Sequence, residues 1–209
     1  PEVLPLGTEY FKIIALGFLF ITTSLGVGAV LRGAGDTVTP MRYNLISNLI
    51  NVILNYILIY GKLGFPAMGV AGAAIATTVS RAVAMIMALL AIYHPDSILS
   101  LSKKTGLFLD FEIIGRILKI GVPSGLEQLV FRTGQIEFAR TVAGLGTTVF
   151  AAHQVAINVF GLSFSPSMAF AIAATTLVGQ SLGAQRPDMA EKYGLETRRM
   201  GMVVAVAIA

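Results

Sequence analysis

The chain has 209 residues, 55% hydrophobic and 12% charged, with a mean hydropathy of +0.78 and a formal net charge of +4. Soluble domains carry about 25% charged residues, so half the usual solvating groups are missing; the composition excludes a soluble domain and points to an all-α, polytopic helical membrane protein. There is no cysteine, which excludes disulfides and thiolate metal sites. His94 and His153 stand far apart with no metal-ligand spacing, and the net charge reads as a loop bias and not as a nucleic-acid footprint.

The chain opens on Pro1-Glu2 with no signal pattern and stops inside the apolar run 200–209, which is too short to span a bilayer, so it reads as a fragment of a longer protein. Residues 10–32 make the first expected span, rich in small residues that let helices approach closely in lipid. The run LRGAGDTVTPM (31–41) ends it in a tight turn, with Gly33 and Gly35 as terminators and Pro40 suited to the next first turn. The second span is 43–60. Asn44, Asn48, Asn51 and Asn55 fall on one face of it, and a ladder of amides cannot face hydrocarbon; it must bond a neighbouring helix or line a wet cavity. The third span, 68–93, starts with the dense small-residue surface GVAGAAIATT and carries Arg81 at mid-length.

Residues 94–112 form the one long polar connection, with Lys103 and Lys104. The fourth span, 113–142, and the fifth, 147–183, follow; the fifth is too long for one straight crossing, so Pro166 is expected to kink it. The loop 185–199 precedes a truncated sixth span. Lys and Arg in the successive connections alternate between rich and poor: Arg32 and Arg42; Lys62; Lys103, Lys104, Arg116 and Lys119; Arg140; then Arg186, Lys192, Arg198 and Arg199. By the positive-inside rule, the first, third and fifth connections are cytoplasmic.

The stretch 121–184 is mostly apolar yet holds Glu127, Gln128, Arg132, Gln135, Glu137, His153, Gln154, Asn158 and Gln180. An ionisable group at mid-membrane costs roughly 2.5–3.5 kcal/mol on insertion scales, so such groups mark a bundle interior or a polar pathway. Gln128, Arg132 and Gln135 share a helical face and Glu127 sits to one side. Pro123 is expected to bend the entry to this span. The Glu127 carboxylate either exchanges Arg132 for an incoming cation or forms a static pair with it. His153 lies near the outer end of the fifth span, as a hydrogen-bonded core residue or a pathway group. No nucleotide-binding, metalloprotease or catalytic-triad pattern occurs.

LRGAGDTVTPM, the Asn-striped helix and GFPAMGVAGAAIAT resemble the fourth to sixth helices of the multidrug and toxic compound extrusion (MATE) transporters. GVPSGLEQ, GTTVFAAHQVAIN and TTLVGQSLGA resemble the seventh and eighth. The resemblance implies a twelve-helix, two-lobe secondary transporter in the plasma (cytoplasmic) membrane, with this chain holding half of each lobe: 1–93 in the first, 94–112 as the cytoplasmic linker and 113–209 in the second. It implies export of drugs or other small organic, cationic substrates by a monomer in exchange for H⁺ or Na⁺, with no other cofactor. The implied pathway comprises Asn48, Asn51, Asn55, Glu127, Gln128, Arg132, Gln135, His153, Gln154 and Asn158, with Pro123 and Pro166 as gating kinks. Some members bear an acid eight positions after the helix-seven proline; here that position is Phe131, and Glu127 is one turn earlier. The alternatives are a flippase for lipid-linked precursors in the same superfamily and, in another class, an intramembrane enzyme using Glu127 and His153.

Overall fold

A computed structural model describes residues 3–94 and 110–208. Among these residues seven helices follow in order: α1 (Val3–Leu16), α2 (Phe18–Gly33), α3 (Val38–Tyr60), α4 (Gly69–Tyr93), α5 (Phe111–Gly144), α6 (Thr147–Gly183) and α7 (Pro187–Ile208). Among the described residues α3, α4 and α6 are long and apolar enough to cross a membrane, and α1 with α2 makes a fourth if the bent pair is one span. The charges of α5, from Glu112 and Arg116 to Glu137 and Arg140, keep it below that hydropathy. The chain divides into two compact units. Pro1–Lys104 with Gly179–Gln185 forms the first, and Thr105–Val178 with Arg186–Ala209 the second.

In the first unit α3 and α4 are antiparallel neighbours, and the reason is local. Gly61 adopts φ +65° and ends α3, with the Lys62 amide donating to the Ile57 carbonyl at 3.0 Å in a Schellman-type stop. The return strikes the same place: the Met68 amide donates to Leu58 O at 2.9 Å, and a Cβ on Gly72 would lie 2.7 Å from that carbonyl oxygen. Only glycine lets the two backbones approach so closely. Ala74, Ala76, Ala84 and Ala88 continue the buried seam of α4, and Leu31 and Tyr43 complete the core against Ala84 and Ala88.

The expected single span 10–32 is instead two helices, bent by 48° at Gly17. The Gly17 amide bonds Ile14 O in a tighter turn, which frees the Ile13 carbonyl, and Thr78 of α4 donates its hydroxyl there at 3.3 Å. A side chain on Gly17 would press on Thr78. The break exists because a neighbouring helix satisfies the carbonyl it exposes.

The expected loop 185–199 is also revised. The turn closes by Arg186, and α7 begins at Pro187, so Lys192, Arg198 and Arg199 are helical. Proline at a first helical position needs no amide bond, which outweighs the loop-like polarity of the segment. The Lys103 and Lys104 connection falls in 95–109, outside the described residues.

Candidate functional site

At mid-length of α3 and α4 the seam is polar. Ser47 donates its hydroxyl to Ser80 O at 2.6 Å, and the Asn51 amide donates to Ser80 Oγ at 3.1 Å and to Thr77 Oγ1 at 3.5 Å. Asn55 donates to Asn51 Oδ1 at 3.0 Å. The Asn55 Oδ1 atom is buried and accepts no bond among the described residues. These groups exist where they do because the four-residue spacing of Asn51 and Asn55 and the three-residue spacing of Thr77 and Ser80 turn both pairs toward the same seam. The result is a cluster of neutral oxygens ending in an open acceptor, suited to a hydrogen-bond donor or a hard cation.

The other amides of the stripe behave differently. Asn44 folds back onto the Pro40 carbonyl at 2.8 Å, and Asn48 is exposed. Ser47, Thr77 and Ser80 were not among the expected site residues. The signal for them was present in ATTVS (76–80), where two hydroxyls recur at helical spacing.

In the second unit α5 and α6 run as continuous helices through Pro123 and Pro166. Arg132 donates to Gln135 Oε1 at 2.9 Å, and no pair with Glu127 forms. The reason is geometric: Arg132 and Gln135 are three apart and neighbours on the helix surface, whereas Glu127 is five before Arg132 and points elsewhere. Glu127, Gln128, Arg132 and Gln135 are all exposed, as are Gln154 and Asn158. His153 is partly buried, edge-on to Phe138 of α5 with ring centroids 5.2 Å apart, and its Nε2 is enclosed without a partner among the described residues. The structure thus brings Asn51 and Asn55 together with α4, brings Arg132 to Gln135, and leaves Glu127 and His153 in different surroundings.

Gln180, near the end of α6, belongs to the first unit. Its amide donates to the carbonyls of Arg32 and Gly33 at 2.8 and 3.2 Å, adding a side-chain donor to the last carbonyls of α2. The same helix end closes on Gly35, at φ +98°, where the Asp36 amide reaches back to Leu31 O at 2.9 Å.

Comparison with known proteins agrees with the sequence resemblance. The MatE family model matches residues 1–57 and 123–209. The chain is 38% identical over 183 residues to the Probable multidrug resistance protein NorM of Thermotoga maritima, covering 87% of this chain and 39% of that protein. It is 34% identical over 207 residues to the protein of the same name from Bacillus cereus, covering 98% of this chain and 44% of the relative. With the Multidrug resistance protein MdtK of Proteus mirabilis it shares 33% identity over 175 residues, or 83% of this chain and 38% of the relative. The chain therefore spans about two fifths of the length of these relatives. Helices packed through small residues, a polar seam at mid-length and this pattern of matches lead to one conclusion: the chain belongs to the MatE family of membrane transporters.

Proposed function

We propose that this chain contributes to a secondary antiporter that exports drugs or other small organic, cationic molecules in exchange for H⁺ or Na⁺. The observation that carries the reading is the Ser47–Asn51–Asn55–Thr77–Ser80 cluster with its open Asn55 acceptor, lying half-way along two membrane-length helices. Neutral oxygens alone hold a cation weakly, so a carboxylate from elsewhere in the protein completes such a site. Glu127 is a second point on the pathway: an acid on an otherwise apolar stretch, unpaired with Arg132 and therefore available to a cation or a proton. Gln128, Gln135, His153, Gln154 and Asn158 line the remaining polar route. In this reading residues 1–93 and 113–209 belong to two lobes of a monomer in the cytoplasmic membrane, and connections 32–42 and 94–112 and the turn at Gln185–Arg186 with the start of α7 face the cytoplasm.

The test uses the full-length protein in proteoliposomes, with export of a fluorescent organic cation driven by an imposed H⁺ or Na⁺ gradient. Wild type is expected to respond to one of the two gradients. Asn51→Leu and Glu127→Gln are each expected to lose most of the response. Wild type that moves no organic cation under either gradient overturns the antiporter reading. A well-folded Glu127→Gln protein with undiminished export removes Glu127 from the pathway.

A further inference from the structure

On the flank of the α3–α4 pair lies a cavity of about 670 Å³, bounded by the first turns of α3 and the last turns of α4. Its lining is graded along the helices. At the helix ends stand Asp36, Arg42 and His94; one or two turns inward the walls become Ile46, Met87 and Leu90. Helices of this length set that polar end at the level of lipid headgroups and the apolar walls among acyl chains. We propose that this groove binds a phosphatidylethanolamine-type lipid, with Arg42 taking the phosphate and Asp36 the primary ammonium.

The choice of a zwitterion follows from the two signs at one mouth. Arg42 is exposed at the polar end and offers a planar fork of donors that suits phosphate. Asp36 sits close enough for the Arg42 charge to act on it, and the Thr39 hydroxyl and amide hold its carboxyl below the usual carboxylate range. The Thr39 amide bond, 2.9 Å to Oδ1, fixes the carboxylate and leaves it further lone pairs. A purely anionic headgroup would meet this charge as repulsion. A choline headgroup offers no N–H to it. An ethanolamine ammonium satisfies it and leaves the phosphate to Arg42.

The experiment uses delipidated full-length protein in detergent and follows Tm against added lipid. Phosphatidylethanolamine is expected to raise Tm in a saturable way, because a ligand bound only to the folded state stabilises it by mass action. Phosphatidylglycerol, phosphatidylcholine and inorganic phosphate are expected to give little shift. Asp36→Asn keeps a capping acceptor for Thr39 and removes only the charge; it should weaken phosphatidylethanolamine about tenfold and abolish the preference over phosphatidylcholine. Arg42→Gln should weaken all phospholipids alike. Equal shifts by all three lipids, a shift by phosphate alone, or an Asp36→Asn protein that keeps its preference would each overturn the proposal. So would failure of a membrane-soluble thiol reagent to label Ile46→Cys in the delipidated protein, since the groove would then be covered by protein.

Discussion

The two units solve the problem of polar groups in an apolar chain differently. In the first, hydroxyls and amides reach across helices: Tyr43 to the Ser24 carbonyl at 3.1 Å, Ser47 to Ser80 and Thr78 to Ile13. Small residues make this possible. Gly28 is one, for a Cβ there would lie 2.5 Å from the Tyr43 hydroxyl. In the second unit the polar groups of α5 bond within their own helix, as Thr133 to Leu129 O, Thr141 to Glu137 O and Arg132 to Gln135. Val142 is the one buried residue of α5. Interhelical bonding gives a fixed seam; intrahelical bonding leaves Glu127 and its neighbours available. The contrast teaches that among the described residues the architecture is held by neutral polar groups between helices, while Glu127 and Arg132 take no part in such bonds.

The sharpest way to break the first pattern is Gly72→Val. Its side chain would drive into the Leu58 carbonyl, which cannot rotate away, so a loss of about 3 kcal/mol is expected in reversible unfolding from mixed micelles. An unchanged unfolding midpoint would mean that α3 and α4 are not in close backbone contact.

Ser80→Ala comes next. It takes from Asn51 its 3.1 Å acceptor while the Ser47 bond to the backbone carbonyl remains. A loss of about 1 kcal/mol is expected, in the range of interhelical hydrogen bonds in membranes. Gln135→Leu in the second unit should cost under about 0.5 kcal/mol, because an exposed intrahelical bond is exchanged for solvent or lipid contact. If the two substitutions cost the same, the distinction between the units fails.

The smallest effect concerns pH. The Asp36 carboxyl has a lowered pKa, chiefly through the Thr39 hydroxyl and then its amide. A depressed folded value means that the stabilisation is complete above the ordinary value of 3.8 and disappears as pH falls through the lower folded value. As the residue is only partly buried, the contribution should stay under about 1 kcal/mol. Asp36→Asn is expected to flatten the stability profile below pH 3.8, matching wild type at the acid end and lacking this small contribution near neutrality; an identical acid profile in the variant would show that the Thr39 bonds do not act on the charge.

Much of this architecture was legible in one dimension. The limits of α6 follow from Gly146 before it and the Gly183-Ala184 turn after it, and 147–183 is the expected and the observed span. The α2–α3 turn follows from Gly35, at φ +98°, where a left-handed residue is required. The stripe on α3 announced that Asn51 and Asn55 share a face, since helical period alone decides that. The helical membrane class follows from composition, because so few charges cannot solvate a globular surface.

What the sequence by itself did not determine is which polar group each of these residues meets. The Gly17 break depends on Thr78, a residue of α4 brought near only by packing, and a glycine in an apolar run carries no local sign of a bend. Proline at 123 and 166 carries such a sign, and both lie inside helices, α5 and α6. Glu127 and Arg132 look like a pair by charge, but helix geometry hands Arg132 to Gln135. Segment 185–199 reads as a loop by polarity, and Pro187 starts a helix there. The physical reason is the same throughout. Period and composition act within a few residues, whereas the satisfaction of a carbonyl, an amide or a charge in a low-dielectric interior depends on partners that only the tertiary structure brings within about 3 Å.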